Sequence, residues 1–276
     1  MRNIYLYSGA GNTFVVLDGR KGSCSEGQLP CSLCKDLCAR YGTDGLMVLK
    51  DSQGYDFGME YYNSDGSGGM MCGNGGRCIV AFADYLGIRP ADGDAYHFLA
   101  PDGEHSAEII ERLDSTTQKL IIRLKMKDVD DFHEALDGEF VDTGTRHFVK
   151  FVQDAEKVDI EQEGRKYRYD PAFAPIGVNA NFVQGSDKEL TVRTYEKGVE
   201  AETLACGTGI TASAIAAYIA GFTAAEQRGP SLSYLVHARQ DDLKVEFTPV
   251  LEAERPARFE QVFLTGPTEL TEIISE

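Results

Sequence analysis

The chain has 276 residues and a formal net charge of -17. Its length admits one large domain or two of about 130 residues, and 42% apolar with 26% charged residues is the balance of an ordinary soluble globular protein. The acidic balance, with Lys and Arg scattered and not gathered into a patch, argues against a nucleic-acid partner.

No run approaches the 18 apolar residues of a membrane helix, and Met1-Arg2-Asn3-Ile4-Tyr5 lacks the apolar core of a signal peptide. A cytoplasmic protein with no membrane partner is expected. Seven cysteines, an odd number in a long chain, read as reduced thiols and not as a disulfide framework.

In chain order, residues 3–7 read as a strand. Gly9-Ala10-Gly11-Asn12 reads as a tight turn and Thr13 to Leu17 as a second strand. Residues 30–41 read as a helix with Cys31, Cys34 and Cys38 on one face. Cys-x2-Cys is a zinc-ligand spacing, but no second Cys or His pair lies nearby, and cysteines so spaced fit a buried stripe. Strands are expected at 46–49 and 57–62, then a polar loop, Asn63-Ser64-Asp65-Gly66-Ser67-Gly68-Gly69, and a helix over 74–86. Strands follow at 96–99, 107–111 and 120–125, with a polar break from Asp114 to Thr117 dividing the chain into residues 1–113 plus 265–276 and residues 114–264. The second half offers a strand-turn-strand over 140–149, a weakly amphipathic helix over 154–173 and strands at 178–183 and 190–196. A second apolar helix and strands at 233–237, 243–247 and 258–264 complete it. Gly266-Pro267 reads as a final turn.

Two phrases organise this pattern. Cys72-Gly73-Asn74-Gly75 and Cys206-Gly207-Thr208-Gly209 each precede a helical run that ends at a glycine, Gly87 and Gly221, and they align without a gap at an offset of 134 residues. The second helix is apolar nearly all round, as a helix buried on most sides must be. A thiol at a helix N-terminus faces unpaired N–H groups and the positive end of the macrodipole, which favour thiolate. The same N–H groups can hold a carboxylate. One such cysteine suggests a nucleophile with a basic partner. Two equivalent copies suggest a thiolate that removes a proton from one face of a carbon while a thiol delivers one to the other.

These residues resemble a known family. Asn63-Ser64-Asp65-Gly66-Ser67, Cys72 through Cys78, Glu202 through Gly209, the opening Gly9-Ala10-Gly11-Asn12-Thr13-Phe14 and the closing Gly266-Pro267 are similar, in order, to the motifs of the diaminopimelate epimerases. The resemblance implies an isomerase that interconverts LL- and meso-2,6-diaminopimelate without a cofactor or metal, in lysine and peptidoglycan precursor biosynthesis. It implies an α+β fold of two pseudo-symmetric domains, each a curved sheet wrapped around a central helix, with the site in the cleft. It makes Cys72 and Cys206 the acid–base pair. Asn12, Asn63, Gly73, Asn74, Thr145, Asn181, Glu196, Lys197, Gly207 and Thr208 become substrate contacts. His147 and Glu196 become modulators of the thiol pKa values, a nearby carboxylate favouring the imidazolium. The expected partner is the small amino-acid substrate, and the chain is compatible with a homodimer.

Four positions depart from the family pattern. Thr145-Arg146 stands where Asn-Pro is common, Lys197 where Arg is common, and Gly45 where many members carry Gln. The segment from Tyr195 to Cys206 is one residue longer. Lysine keeps the charge of arginine and loses its bidentate fork. A proline racemase or hydroxyproline epimerase uses the same two-thiol idea, but typically has His where this chain has Asn74. A related epimerase for another amino acid is allowed by Thr145 and Lys197. A non-catalytic thiol or zinc protein built on Cys31, Cys34 and Cys38 is the reading from a different class.

Overall fold

Alternating burial along some strands, such as Lys119–Lys125, and continuous burial along others and along much of two helices set the architecture of the computed structural model, which describes residues 3–22, 29–69, 71–114, 116–186 and 188–275. Met1 and Arg2 of the N-terminal reading, and Ser115 of the expected break, lie outside these residues. Two units emerge. The first runs to Leu124 and resumes at Gly266; the second is Lys125–Thr265. The division falls after Leu124 and not at 113/114. Gly103–Asp114 and Lys119–Lys125 pair as an antiparallel hairpin, which keeps both strands, up to Leu124, within the first unit.

The first unit contains β1 (Asn3–Gly9), β2 (Asn12–Asp18), α1 (Cys31–Tyr41), β3 (Gly45–Lys50), β4 (Phe57–Asn63), α2 (Gly73–Tyr85), β5 (Ala95–Ala100), β6 (Gly103–Asp114) and β7 (Lys119–Lys125). In β7 Leu120, Ile122 and Leu124 are buried and the residues between them are not, the period-two pattern of a strand with one face on the core. Glu269–Ser275, the end of the chain's final strand, pair with β1, and the strand bonds back toward β7 through Leu270 to Thr117 and Thr268 to Leu120. The sheet thus closes around α2, whose residues 73–84 are all buried.

The second unit contains β8 (Phe132–Ala135), β9 (Gly138–Asp142), β10 (Arg146–Phe151), α3 (Ile160–Arg168), β11 (Asn179–Ser186), β12 (Glu189–Glu196), β13 (Ala201–Thr203), α4 (Gly207–Ile219), β14 (Glu226–Arg228), β15 (Ser231–His237), β16 (Asp242–Glu252) and the first half of β17 (Arg255–Ser275). Its pairing scheme repeats that of the first. From β1 to β7 the pairs run antiparallel, parallel, antiparallel, parallel, antiparallel, antiparallel. From β9 through β12, β15 and β16 to β17 they run in the same order. In each unit a helix crosses over between the strands of each parallel pair, as parallel strands require. The buried central helix of each unit, α2 or α4, makes the second crossover. The α+β fold of two pseudo-symmetric halves expected from the sequence is the fold observed.

Helix α4 is buried from Gly209 through Ala217. The two hydroxyl groups of that stretch bond back within the helix, Thr211 Oγ1 to the Gly207 carbonyl at 2.9 Å and Ser213 Oγ to the Gly209 carbonyl at 2.7 Å, so neither is an unsatisfied buried donor. With those donors satisfied, the rest of the buried stretch is apolar and gains from burial at roughly 25 cal/mol per Å2. Truncating the fully buried Ile215 to Ala should cost about 2–5 kcal/mol.

Two expectations fail locally. Residues 154–173 form α3 flanked by single 3-10 turns at 155–157 and 171–173, because Asp154, Asp159 and Asp170 each cap a new start by accepting from a backbone N–H. Gly266-Pro267 makes no turn; β17 runs through it. The proline sits where the strand leaves its pairing with β16 at Thr265 and before it takes up β1 at Glu269, a place where the missing N–H breaks neither of those ladders. The short strands β8, β13 and β14 carry no alternation long enough to read from sequence.

Candidate active site

In the first unit Cys72 is the residue before the first turn of α2, with extended backbone, and its sulfur caps the helix by accepting from the Gly75 N–H at 3.2 Å. The Tyr61 hydroxyl of β4 lies 4.0 Å from the same sulfur. Gly75 leaves room for the sulfur. A Cβ on it would stand 3.2 Å from both the Cys72 sulfur and the Met47 sulfur, so a side chain would press on the thiol.

The next residue but one, Asn74, belongs to a chain of polar contacts. Arg77, wholly buried in the second turn of the helix, donates to Asn74 Oδ1 at 2.8 Å and to the Gly73 carbonyl at 3.2 Å. Asn74 Nδ2 donates to Asn12 Oδ1 at 2.6 Å, and Asn12 Nδ2 donates to Asp44 at 3.3 Å. Asp44 also accepts from the Thr13 N–H at 2.8 Å, fixing the β1–β2 turn against it. A cation at one end and an anion at the other align both amides. Asn12, Gly73, Asn74 and Cys72 are therefore brought together. Asn63 ends β4 exposed, its amide donating to Ser67 Oγ at 3.0 Å within the polar loop. Asp44, Arg77 and Tyr61 had no role in the sequence reading. The signal was there for Arg77, the one cation in a helix that is mostly apolar.

In the second unit Cys206 holds the equivalent place before α4, without a side-chain cap. Its sulfur lies 3.4 Å from Thr208 Oγ1. Thr208 Oγ1 is 3.0 Å from His147 Nε2 and 3.0 Å from Thr145 Oγ1, and Thr145 Oγ1 is 2.9 Å from the same ring nitrogen. The other ring nitrogen, Nδ1, is 3.0 Å from Asn181 Nδ2. Asn181 also donates to the Phe148 carbonyl at 3.2 Å and accepts from Thr194 Oγ1 at 2.9 Å. Thr143 Oγ1 donates to the Thr208 carbonyl at 3.1 Å. β10 and β11 are parallel neighbours with His147 opposite Asn179 and Val149 opposite Asn181. That register sets the imidazole and the Asn181 amide side by side under the first turn of α4. A Cβ on Gly209 would meet Asn181 Oδ1 at 2.4 Å, so this packing needs glycine.

His147 is fully buried, and burial pushes its pKa down to about 3, with the nearby Lys197 charge acting in the same direction and the Asn181 contact opposing. This reverses the imidazolium expected from a neighbouring carboxylate: the ring is neutral. Asn181 is fully buried with both amide hydrogens directed to protein acceptors, a different use from the substrate contact expected of it. Asn179, two residues earlier, was missed. It donates to the Arg146 carbonyl at 3.1 Å and accepts from the Lys197 N–H at 2.8 Å, which fixes the backbone where Glu196 and Lys197, both half-buried, leave β12.

Cys34 and Cys38 are buried in the core with Leu37 while Cys31 is exposed, and burial pushes the Cys34 thiol up to about 11. Among the described residues no group of three His, Cys, Asp or Glu is placed to hold a metal ion, and no helix is long and apolar enough to cross a membrane.

Residues 4–112 and 139–258 match the model of a protein family described as diaminopimelate epimerase. A diaminopimelate epimerase of Flavobacterium psychrophilum is 39% identical over 270 residues, covering 96% of each chain. One from Chlorobaculum tepidum is 40% identical over 223 residues, 78% of this chain and 82% of that relative. Among solved structures, a phenazine biosynthesis protein of the PhzF family from Bacillus anthracis superposes with a TM-score of 0.71 at 12% identity, over 99% of this chain and 98% of the other, a likeness of fold.

Proposed function

The chain belongs to the diaminopimelate epimerase family, and we propose that it interconverts LL- and meso-2,6-diaminopimelate by passing the α-proton between solvent-exchangeable thiols at Cys72 and Cys206. It is an isomerase acting on a small amino-acid substrate, placed by that chemistry in lysine biosynthesis. The observation that supports the thiol assignment best is the repeated one: a half-buried cysteine stands immediately before a largely buried helix in each of two units of the same topology.

In this reading one cysteine, as thiolate, takes the α-hydrogen as a proton and becomes a thiol. The electron pair left on the α-carbon delocalises into the carboxylate. The other cysteine, as thiol, gives its proton to the opposite face and becomes a thiolate. The configuration inverts, no electrons are gained or lost, and the two sulfurs exchange protonation states. The α-proton is weakly acidic, so the step depends on donors aimed at the carboxylate where charge accumulates. The N–H groups at Gly73 and Asn74 and at Gly207–Gly209 are of that kind. In this reading the two thiols supply both the acid and the base, so it calls for no cofactor. Asn12 and Asn74 are held rigidly enough to orient polar groups of the substrate. Lys197 and Glu196 offer a cation and an anion to its distal carboxylate and ammonium. The cytoplasmic setting and the homodimer go with this reading.

The test is incubation of the purified protein in D2O with LL-diaminopimelate, L-proline and a panel of other L-amino acids, followed by NMR. Loss of the α-proton signal and appearance of the meso isomer with LL-diaminopimelate alone is the expected result. Exchange with proline and none with diaminopimelate would reject the substrate.

A further inference from the structure

The polar contacts behind Cys206 have a direction, and the direction can be read from the donors. The Asn181 amide is oriented without ambiguity. Its nitrogen donates to the Phe148 carbonyl, which can only accept, and its oxygen receives the Thr194 hydroxyl. The nitrogen must therefore donate to His147 Nδ1, so Nδ1 carries no proton. The single ring proton of the neutral imidazole is on Nε2. From Nε2 it points at the two threonine hydroxyls, 2.9 and 3.0 Å away.

A protonated Nε2 cannot accept. Thr145 then gives its hydroxyl proton to Thr208 Oγ1, at 3.0 Å. Thr208, receiving from both, turns its own proton to the neighbour that remains, the Cys206 sulfur at 3.4 Å. We propose that Asn181, His147 and Thr145 form a one-way hydrogen-bond relay that fixes the Thr208 hydroxyl as a donor to the Cys206 sulfur, stabilising its thiolate. Thr208 touches the reacting atom. His147, Asn181, Thr145 and Thr194 are positioning residues, and His147 takes no proton from substrate or thiol during turnover. This deepens the two-thiol reading and rests on it only for the claim that the thiolate is a catalytic base.

The charged groups that bear on the relay are few. Lys197, at the end of β12, acts on His147 and reinforces the neutral ring. Glu196 precedes it in the chain. Glu202 on β13, the nearest carboxylate before Cys206 in sequence, is taken up by Arg193 and Arg239. Helix α4 has no acidic side chain in its first turn and no basic one in its last.

The relay is read by the pH dependence of Cys206 alkylation, resolved by mass spectrometry of the peptide that carries it, with iodoacetamide as probe and no substrate present. A hydrogen bond to a charged group corresponds to a shift of about one to two pH units. Thr208→Val, which copies the shape at a half-exposed position, is expected to raise the midpoint by that amount. Thr208→Ser, which keeps the hydroxyl, is expected to stay within about 0.3 units of the native chain. Thr145→Val is expected to shift it the same way by less than Thr208→Val does. If the valine variant at 208 fails to fold by circular dichroism, Thr208→Ala gives the same reading. A midpoint unmoved by loss of the Thr208 hydroxyl, or moved as far by serine as by valine, overturns the relay. Epimerisation of LL-diaminopimelate by the native chain is scored separately, so an unmoved midpoint with full turnover rejects the relay alone, and absent turnover rejects the reading beneath it.

Discussion

Cys72 and Cys206 begin helices of equal length in units of equal topology, and their sulfurs are nevertheless held in different ways. The Cys72 sulfur folds back over its own helix and is met by a backbone N–H, with a tyrosine hydroxyl farther off. The Cys206 sulfur is met by a side-chain hydroxyl whose direction is set from two strands away. The second residue after each cysteine shows the divergence. Asn74 turns into a relay that ends on Arg77 and Asp44, while Thr208 turns toward the thiol. The thiol and the helix start are common to both units, and the donors around each thiol differ. A two-thiol epimerase gains from this, because its two half-reactions require one sulfur as thiolate and the other as thiol at the same moment.

The comparison is broken most severely at the sulfurs themselves. Cys72→Ala and Cys206→Ala should each lower epimerisation by at least about a thousandfold, within the range a positioned acid or base supplies. Each should also leave exchange of the substrate α-proton with D2O at only one face. Equal and near-native turnover in either variant, followed by NMR, would remove the two-base mechanism.

The next largest effect separates the two helix starts. An alanine Cβ at Gly209 falls 2.4 Å from Asn181 Oδ1 and 3.2 Å from His147 Cε1, both fully buried and bonded, so the pair must shift as a unit. Overpacking of that kind costs about 1–3 kcal/mol, and a misplacement near 1 Å costs up to about a hundredfold in rate. At Gly75 the Cβ meets two sulfurs at 3.2 Å, one at the end of the flexible Met47 side chain. Gly75→Ala should cost under about tenfold in kcat/KM, and the gain in helix propensity, about 1 kcal/mol, offsets part of the strain. Thermal melts and steady-state rates on both variants check the order. A Gly75→Ala variant as damaged as Gly209→Ala would mean the two starts are packed alike.

How much of this was legible beforehand follows from the range of each signal. The cysteine phrases, their helices and the terminating glycines were readable because capping, glycine and apolar runs act over a few residues. The buried state of α4 was readable because its sequence leaves it no polar face. The contrasting fates of Asn74 and Thr208 were not, since their partners Asn12, Asp44, His147, Thr145 and Asn181 lie on distant strands and meet only through sheet register. The charge of His147 went the wrong way for the same reason. Its sequence neighbours say nothing of a site under a helix where burial outweighs any carboxylate. Gly266-Pro267 misled because a turn dipeptide is also what a strand tolerates where it changes partners.

His147 gives the comparison a thermodynamic mark confined to the second unit. Its folded pKa is depressed to about 3 from an ordinary 6.5, so between these values the unfolded chain binds a proton that the folded chain does not. Its contribution to stability is full above about pH 6.5 and is lost as pH falls toward about 3, with a slope of up to about 1.4 kcal/mol per pH unit. His147→Gln lacks this titration. Denaturant unfolding measured from pH 7 to pH 4 should show the native chain losing stability more steeply than the variant, whatever their difference at pH 7. Parallel curves would mean the ring is protonated in the fold, and the direction of the donors behind Cys206 would fail with it.

The smallest expected effect lies on the other thiol. The Tyr61 hydroxyl is 4.0 Å from the Cys72 sulfur, whereas the Gly75 N–H is at 3.2 Å and is part of the backbone. Gly45 is what admits the tyrosine, since a Cβ there would stand 3.0 Å from its hydroxyl and 2.9 Å from the Tyr62 carbonyl. The glycine at a position where the family often has glutamine is thus matched by the ring beside it. With the backbone donor intact, Tyr61→Phe should lower kcat/KM by less than about fivefold, an effect near 1 kcal/mol or below, and move the Cys72 alkylation midpoint less than Thr208→Val moves that of Cys206. A loss of a hundredfold on removing this one hydroxyl would make both thiols dependent on side-chain donors, and the contrast between a backbone-held and a side-chain-held sulfur would no longer stand.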